Sequence, residues 1–173
     1  MDRRPLFLTL FILLLVLSAC RTDRFNGQWT LQVQVEQVST PVCSNSFLGK
    51  EETLYFQLAQ EGTTLSGFPL SSLGPNAVMN ADAGWKVLGE ADGNKVDIYF
   101  WIPNSGDNCG DVNHFVGERN GDVIRGNFQG GDCHSYPKTD SPAGRVVINE
   151  VQGEDVDSCT WSGTFTMTKH EQK

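Results

Sequence analysis

Five cysteines and three histidines could carry the chemistry of this chain: Cys20, Cys43, Cys109, Cys133 and Cys159, with His114, His134 and His170. A thiol can be acylated, oxidised to a disulfide, bound to a metal or used as a nucleophile, and context decides among these. Cys109 with His114 and Cys133 with His134 would offer two sulfur and two nitrogen ligands. Their intervals match no zinc pattern, and exported thiols oxidise, so disulfides with surface histidines are expected and no metal or cofactor is. Asp107, Asp111 and Asp132 fall around the same two cysteines and form a candidate acidic rim for calcium or a cationic partner. The segment lacks the Asp-x-Asp-x-Asp-Gly order of an EF-hand loop, so a solvated rim is the simpler reading. No Gly-x-Ser-x-Gly, His-Glu-x-x-His or phosphate-loop motif occurs, no catalytic residue is assigned, and the chain reads as a non-enzyme, with hydrolase only as a residual alternative.

Cys20 stands apart. Arg3 and Arg4 precede an apolar run from Leu6 to Val16, which Leu17-Ser18-Ala19-Cys20 closes, giving the charged and apolar regions of an export signal. Crossing a bilayer takes about 20 apolar residues, so the run is too short to be an anchor itself. Leucine, two small residues and cysteine resemble the lipobox of bacterial lipoproteins. That resemblance implies that residues 1–19 are a signal peptide, that Cys20 is acylated and becomes the N-terminus, and that residues 20–24 are a tether. In that family Asp after the cysteine favours the inner membrane; here the residue is Arg21, so the expected address is the outer membrane, with the bilayer as partner through the lipid. An ordinary secretory signal cleaved at Ala19 would instead leave Cys20 as an odd thiol, whereas acylation leaves an even set of four.

Without residues 1–19 the chain holds 11 basic and 20 acidic residues. Phosphate binding needs clustered Lys and Arg, so this balance argues against nucleic acid as a partner. Residues 25–173 are of ordinary size for one domain with its own core.

Trp29, Leu31, Val33 and Val35 alternate with Thr30, Gln32, Gln34 and Glu36, the two-residue period of a strand with one wet face. The same period predicts strands at 28–38, 52–60, 64–70, 85–90, 95–102, 112–118, 123–129 and 159–169, with a ninth candidate from Arg145 to Val151. Glu61-Gly62-Thr63, Asp92-Gly93-Asn94 and Asn120-Gly121-Asp122 are hairpin signals. Glycines also recur inside the strands, in Leu65-Ser66-Gly67, Val87-Leu88-Gly89, Phe115-Val116-Gly117, Ile124-Arg125-Gly126 and Trp161-Ser162-Gly163, where they suit a sheet that must curl. The expected fold is all-β, a single antiparallel, mainly up-and-down barrel of eight strands. Phe25-Asn26-Gly27-Gln28-Trp29 resembles the early Gly-x-Trp of lipocalin- and avidin-like barrels, and Trp161-Ser162-Gly163-Thr164-Phe165 resembles a closing strand. The arginine that lipocalins place near the barrel end has no counterpart identifiable here, and no biotin-binding set matches avidin, so the resemblance implies architecture and no ligand.

A three-residue loop at Asn120–Asp122 would set Arg119 opposite Val123 and Cys109 opposite Cys133, close to disulfide geometry. Cys43 would then pair with Cys159 where a barrel closes; two other connectivities remain open. By alternation Tyr99 and Trp101 face away from Val96, Ile98 and Phe100, either as an exposed contact patch or as stray aromatics. The expected function is noncatalytic: a lipid-anchored barrel that binds a small apolar ligand in its mouth or an envelope protein on its acidic rim. The alternative is a packed barrel with a structural or inhibitory role, and bulky Trp29, Phe56, Trp85, Phe100, Phe115, Phe128, Trp161 and Phe165 lean towards a filled interior.

Overall fold

The computed structural model describes residues 24–39, 49–80, 84–102, 111–132, 143–144 and 159–171. The strands are β1 (Gly27–Val38), β2 (Glu51–Glu61), β3 (Thr64–Leu70), β4 (Lys86–Asp92), β5 (Lys95–Trp101), β6 (Asp111–Asn120), β7 (Val123–Asp132) and β8 (Thr160–Lys169). Each pairs antiparallel with its neighbour in sequence, and β8 pairs with β1 to close an up-and-down barrel. Alternation is the cause of the inside and the outside: Trp29, Leu31 and Val35 are buried while Gln32, Gln34 and Glu36 are exposed. The Arg145 to Val151 candidate lies outside the described residues.

Two-residue turns join β2 to β3, β4 to β5 and β6 to β7. Gly62, Gly93 and Gly121 take the first turn position with φ of 63°, 62° and 62°, as the primed turns that match strand twist require. The last of these corrects the expected register. Asn120 pairs with Val123 and Arg119 with Ile124, because Gly121 supplies positive φ at the start of a two-residue turn, not within a three-residue loop. Extended beyond the strands, this register sets Cys109 and Cys133 one residue out of step. The cross-strand argument for that bridge therefore fails, and both cysteines lie outside the described residues.

The in-strand glycines do bring backbones together. A methyl group added at Gly126 would overlap the Val116 carbonyl, and one at Gly163 would overlap the Gln34 carbonyl, both backbone atoms of a neighbouring strand. Beside Gly163, β1 carries a register shift between Val35 and Gln37 that bends it along the closing seam.

Phenylalanines fill the centre. Phe115 lies 5.1 Å from Phe100, 5.4 Å from Phe128 and 5.2 Å from Phe165 between ring centroids, and Phe56 lies 5.1 Å from Phe100. Such offset and edge contacts pack large rings without a void.

The two ends differ. One carries the three tight turns and both ends of the described barrel, and it is plugged by the N-terminal turn: Phe25 is buried and stacks on Trp29, whose indole N–H donates to the Phe25 carbonyl at 2.9 Å. The Arg119 guanidinium lies 5.4 Å from the Phe25 ring centre, and the Lys169 ammonium lies 5.9 Å from that of Trp29. A cation on the last strand, Lys169, thus covers the early tryptophan. All the long connections, 39–50, 71–85, 102–110 and 133–159, leave from the opposite end.

Tyr99 and Trp101 form no exposed patch. Although they alternate with core residues, they are 0% and 4% exposed. Tyr99 stacks flat on His114 at 4.2 Å, His114 Nε2 meets Asp97 Oδ1 at 2.8 Å, and Lys86 lies 5.9 Å over Trp101. Side chains of neighbouring strands cover rings that alternation alone would leave wet.

Candidate functional site

Above the phenylalanine core, the loop-bearing end opens as a cup. Val33, Val35, Leu54, Trp85, Phe100, Phe115, Phe128 and Trp161 make its floor and walls, and Lys50, Glu52, Asp111 and Asn113 add polar groups. Its volume is about 80 Å³. On a scale where one water takes about 10–15 Å³, that is room for a group of several heavy atoms and not for a long chain. The interior below is filled, because most inward positions carry a ring or a branched aliphatic side chain.

One polar contact organises the wall. Asn113 on β6 and Trp161 on β8 both flank Gly130 of β7, and the Trp161 indole N–H donates to Asn113 Oδ1 at 2.8 Å across it. A Cβ at Gly130 would overlap both partners. Glycine here is therefore the condition for the hydrogen bond. Asn113→Ala should leave the buried indole N–H unpaired and cost about 1–3 kcal/mol. A urea midpoint equal to that of the parent protein would show that water replaces the carboxamide without loss.

Of the residues expected in an acidic rim, Asp111 lines the cup, Asp132 stands opposite it in the backbone register of β6 and β7, and Asp107 lies outside the described residues. Glu52 was missed. It pairs with Val33 and shares the inward parity of Leu54 and Phe56, so a charge at an inward strand-end position was the available signal. Among the described residues no group of three or more His, Cys, Asp and Glu could hold a metal. His114 meets Asp97 and stacks on Tyr99 on the outer face, away from the cup. Cys159 packs partly buried against the core, and Cys20, Cys43, Cys109 and Cys133 lie outside the described residues.

A larger groove of about 400 Å³ lies on the outer wall, between Gln32, Gln34, Glu51, Arg125, Thr164 and Thr166. Val33, Gly126 and Phe165 also border it, but most of its lining is polar strand side chains facing solvent, whereas the cup is lined mainly by apolar and aromatic groups, which makes the cup the better candidate.

Fold and cup define a closed eight-stranded up-and-down barrel with the architecture of lipocalin- and avidin-like proteins. No family model, curated protein or solved structure matches the chain.

Proposed function

We propose that this is a lipid-anchored, noncatalytic envelope protein whose filled barrel presents a recognition cup away from the membrane. The observation that carries the reading is the placement of the N-terminal turn: Phe25 plugs the end opposite the cup. With Cys20 acylated, only residues 21–24 separate the lipid from that plug, a tether of about 14 Å at full extension. A 12-residue strand such as β1 spans about 40 Å along its axis, so at barrel tilt the cup stands roughly 30 Å further out. Two or three acyl chains make such an anchor permanent, since each buried methylene contributes about 0.8 kcal/mol. The small cup favours recognition of a compact group, on a ligand or a partner protein, over carriage of a long-chain lipid.

Energy transfer from tryptophan to dansyl-labelled lipid tests the orientation in vesicles carrying the full-length lipoprotein. Transfer from Trp29, isolated with Trp85→Phe, Trp101→Phe and Trp161→Phe, should exceed transfer from Trp161, isolated in the same way. The reverse order would overturn the reading.

The disulfide proposal rests on the seam where β1 meets β8. The Ser39 N–H donates to the Thr160 carbonyl at 2.8 Å, and the Thr160 N–H donates to Ser39 Oγ at 3.0 Å. Cys159 thus lies beside the exit of β1, four residues before Cys43 in that direction of the chain. Non-reducing peptide mapping should join Cys43 to Cys159, leaving Cys109 to Cys133; a peptide joining Cys43 to Cys109 would refute this pairing.

A further inference from the structure

We propose that the cup selects an organic ammonium ion, a compact alkylammonium head of the kind that fits among aromatic rings. This rests on the reading of the cup as the recognition site and names the chemistry of its occupant. Five of the lining side chains are aromatic: Trp85, Phe100, Phe115, Phe128 and Trp161. Ring faces attract a cation through their quadrupole, and the attraction grows as water is excluded.

Rings alone would accept a neutral group as readily, so the mouth decides. Among the described residues its lining holds two carboxylates, Glu52 and Asp111, and one ammonium, Lys50. A buried cation needs a carboxylate nearby to offset its lost hydration, and two stand at the entrance. An anionic ligand would meet these two carboxylates.

The cavity of about 80 Å³ sets the size: a trimethylammonium head enters, while any longer apolar part must remain at the mouth. Glu52 and Asp111 therefore have the role of selecting charge, and the rings that of selecting shape.

Choline, its neutral isostere 3,3-dimethylbutanol and the anionic isostere 3,3-dimethylbutyrate separate these contributions, with calorimetry and the Trp161 indole N–H resonance of the full-length lipoprotein in detergent as readouts. Choline should bind about tenfold more tightly than the alcohol, the factor that corresponds to about 1.4 kcal/mol, and the carboxylate should bind most weakly. In a Glu52→Gln, Asp111→Asn variant the preference for choline over the alcohol should fall to about twofold with binding of the alcohol unchanged. Equal binding of choline and the alcohol to the parent protein would overturn the ammonium proposal while leaving the cup as a recognition site. If none of the three probes moves the Trp161 resonance, the cup reading itself falls.

Discussion

Gly163→Ala is expected to remove most of the stability of the barrel. The added methyl group would overlap the Gln34 carbonyl oxygen, with the Glu36 nitrogen only 3.1 Å away. These are backbone atoms of β1 at its irregular register, so no flexible side chain can swing aside. Overpacking typically costs about 1–3 kcal/mol, and more where rigid groups must move. The seam must separate locally for the methyl group to fit, and a cost of about 3 kcal/mol or more follows, a large part of the roughly 5–15 kcal/mol that stabilises an ordinary domain. Urea unfolding measures it. Ser162→Ala, one residue away on the other face, should stay within about 0.5 kcal/mol. A Gly163→Ala midpoint as high as that of Ser162→Ala would mean that β1 and β8 are not held as closely as their register shows.

Replacing Cys20 by Ser should move the protein completely from the membrane to the soluble fraction, with loss of the mass of the acyl chains. Its unfolding transition should not shift, because the barrel begins at Gly27, its plug at Phe25, and the other four cysteines remain an even set. Electrostatic attraction to lipid cannot replace the anchor in a mature chain of 11 basic and 20 acidic residues. Membrane retention of the Cys20→Ser protein would show that a lipid on Cys20 is not what holds it there, and an unfolded product would show that anchor and fold are not separable.

The strands were legible because their signals are local. Alternation from Trp29 to Val35 placed β1, and Gly62 and Gly93 placed their turns, since φ and side-chain direction depend on immediate neighbours. The glycine pattern at Gly126 and Gly163 was legible as a sign of curvature, although only the closed sheet shows which carbonyl each one meets. Where one residue of loop length mattered, local reasoning erred: three residues assigned to the turn at Gly121 set Cys109 opposite Cys133, and the two-residue turn shifts the register of β6 and β7 and removes that argument. A slip of one residue exchanges the two faces of a strand.

The candidate site was legible only in pieces. Asp111, Trp85 and Trp161 were singled out from type and spacing, but Glu52 joined them only through the pairing of β2 with β1, and Asn113 only through its bond to Trp161 across Gly130. Tyr99 and Trp101 faced outward as alternation requires and still were buried, because coverage depends on what lies across neighbouring strands.

Period, turns, export pattern and charge balance were therefore properties of the chain as written, each set by residues a few positions apart. Which end is plugged, which carboxylates meet the aromatic cup, and that Lys169 lies over Trp29 were decided by closure of β8 on β1. That closure brings together side chains well over a hundred positions apart, and no local periodicity encodes such a meeting.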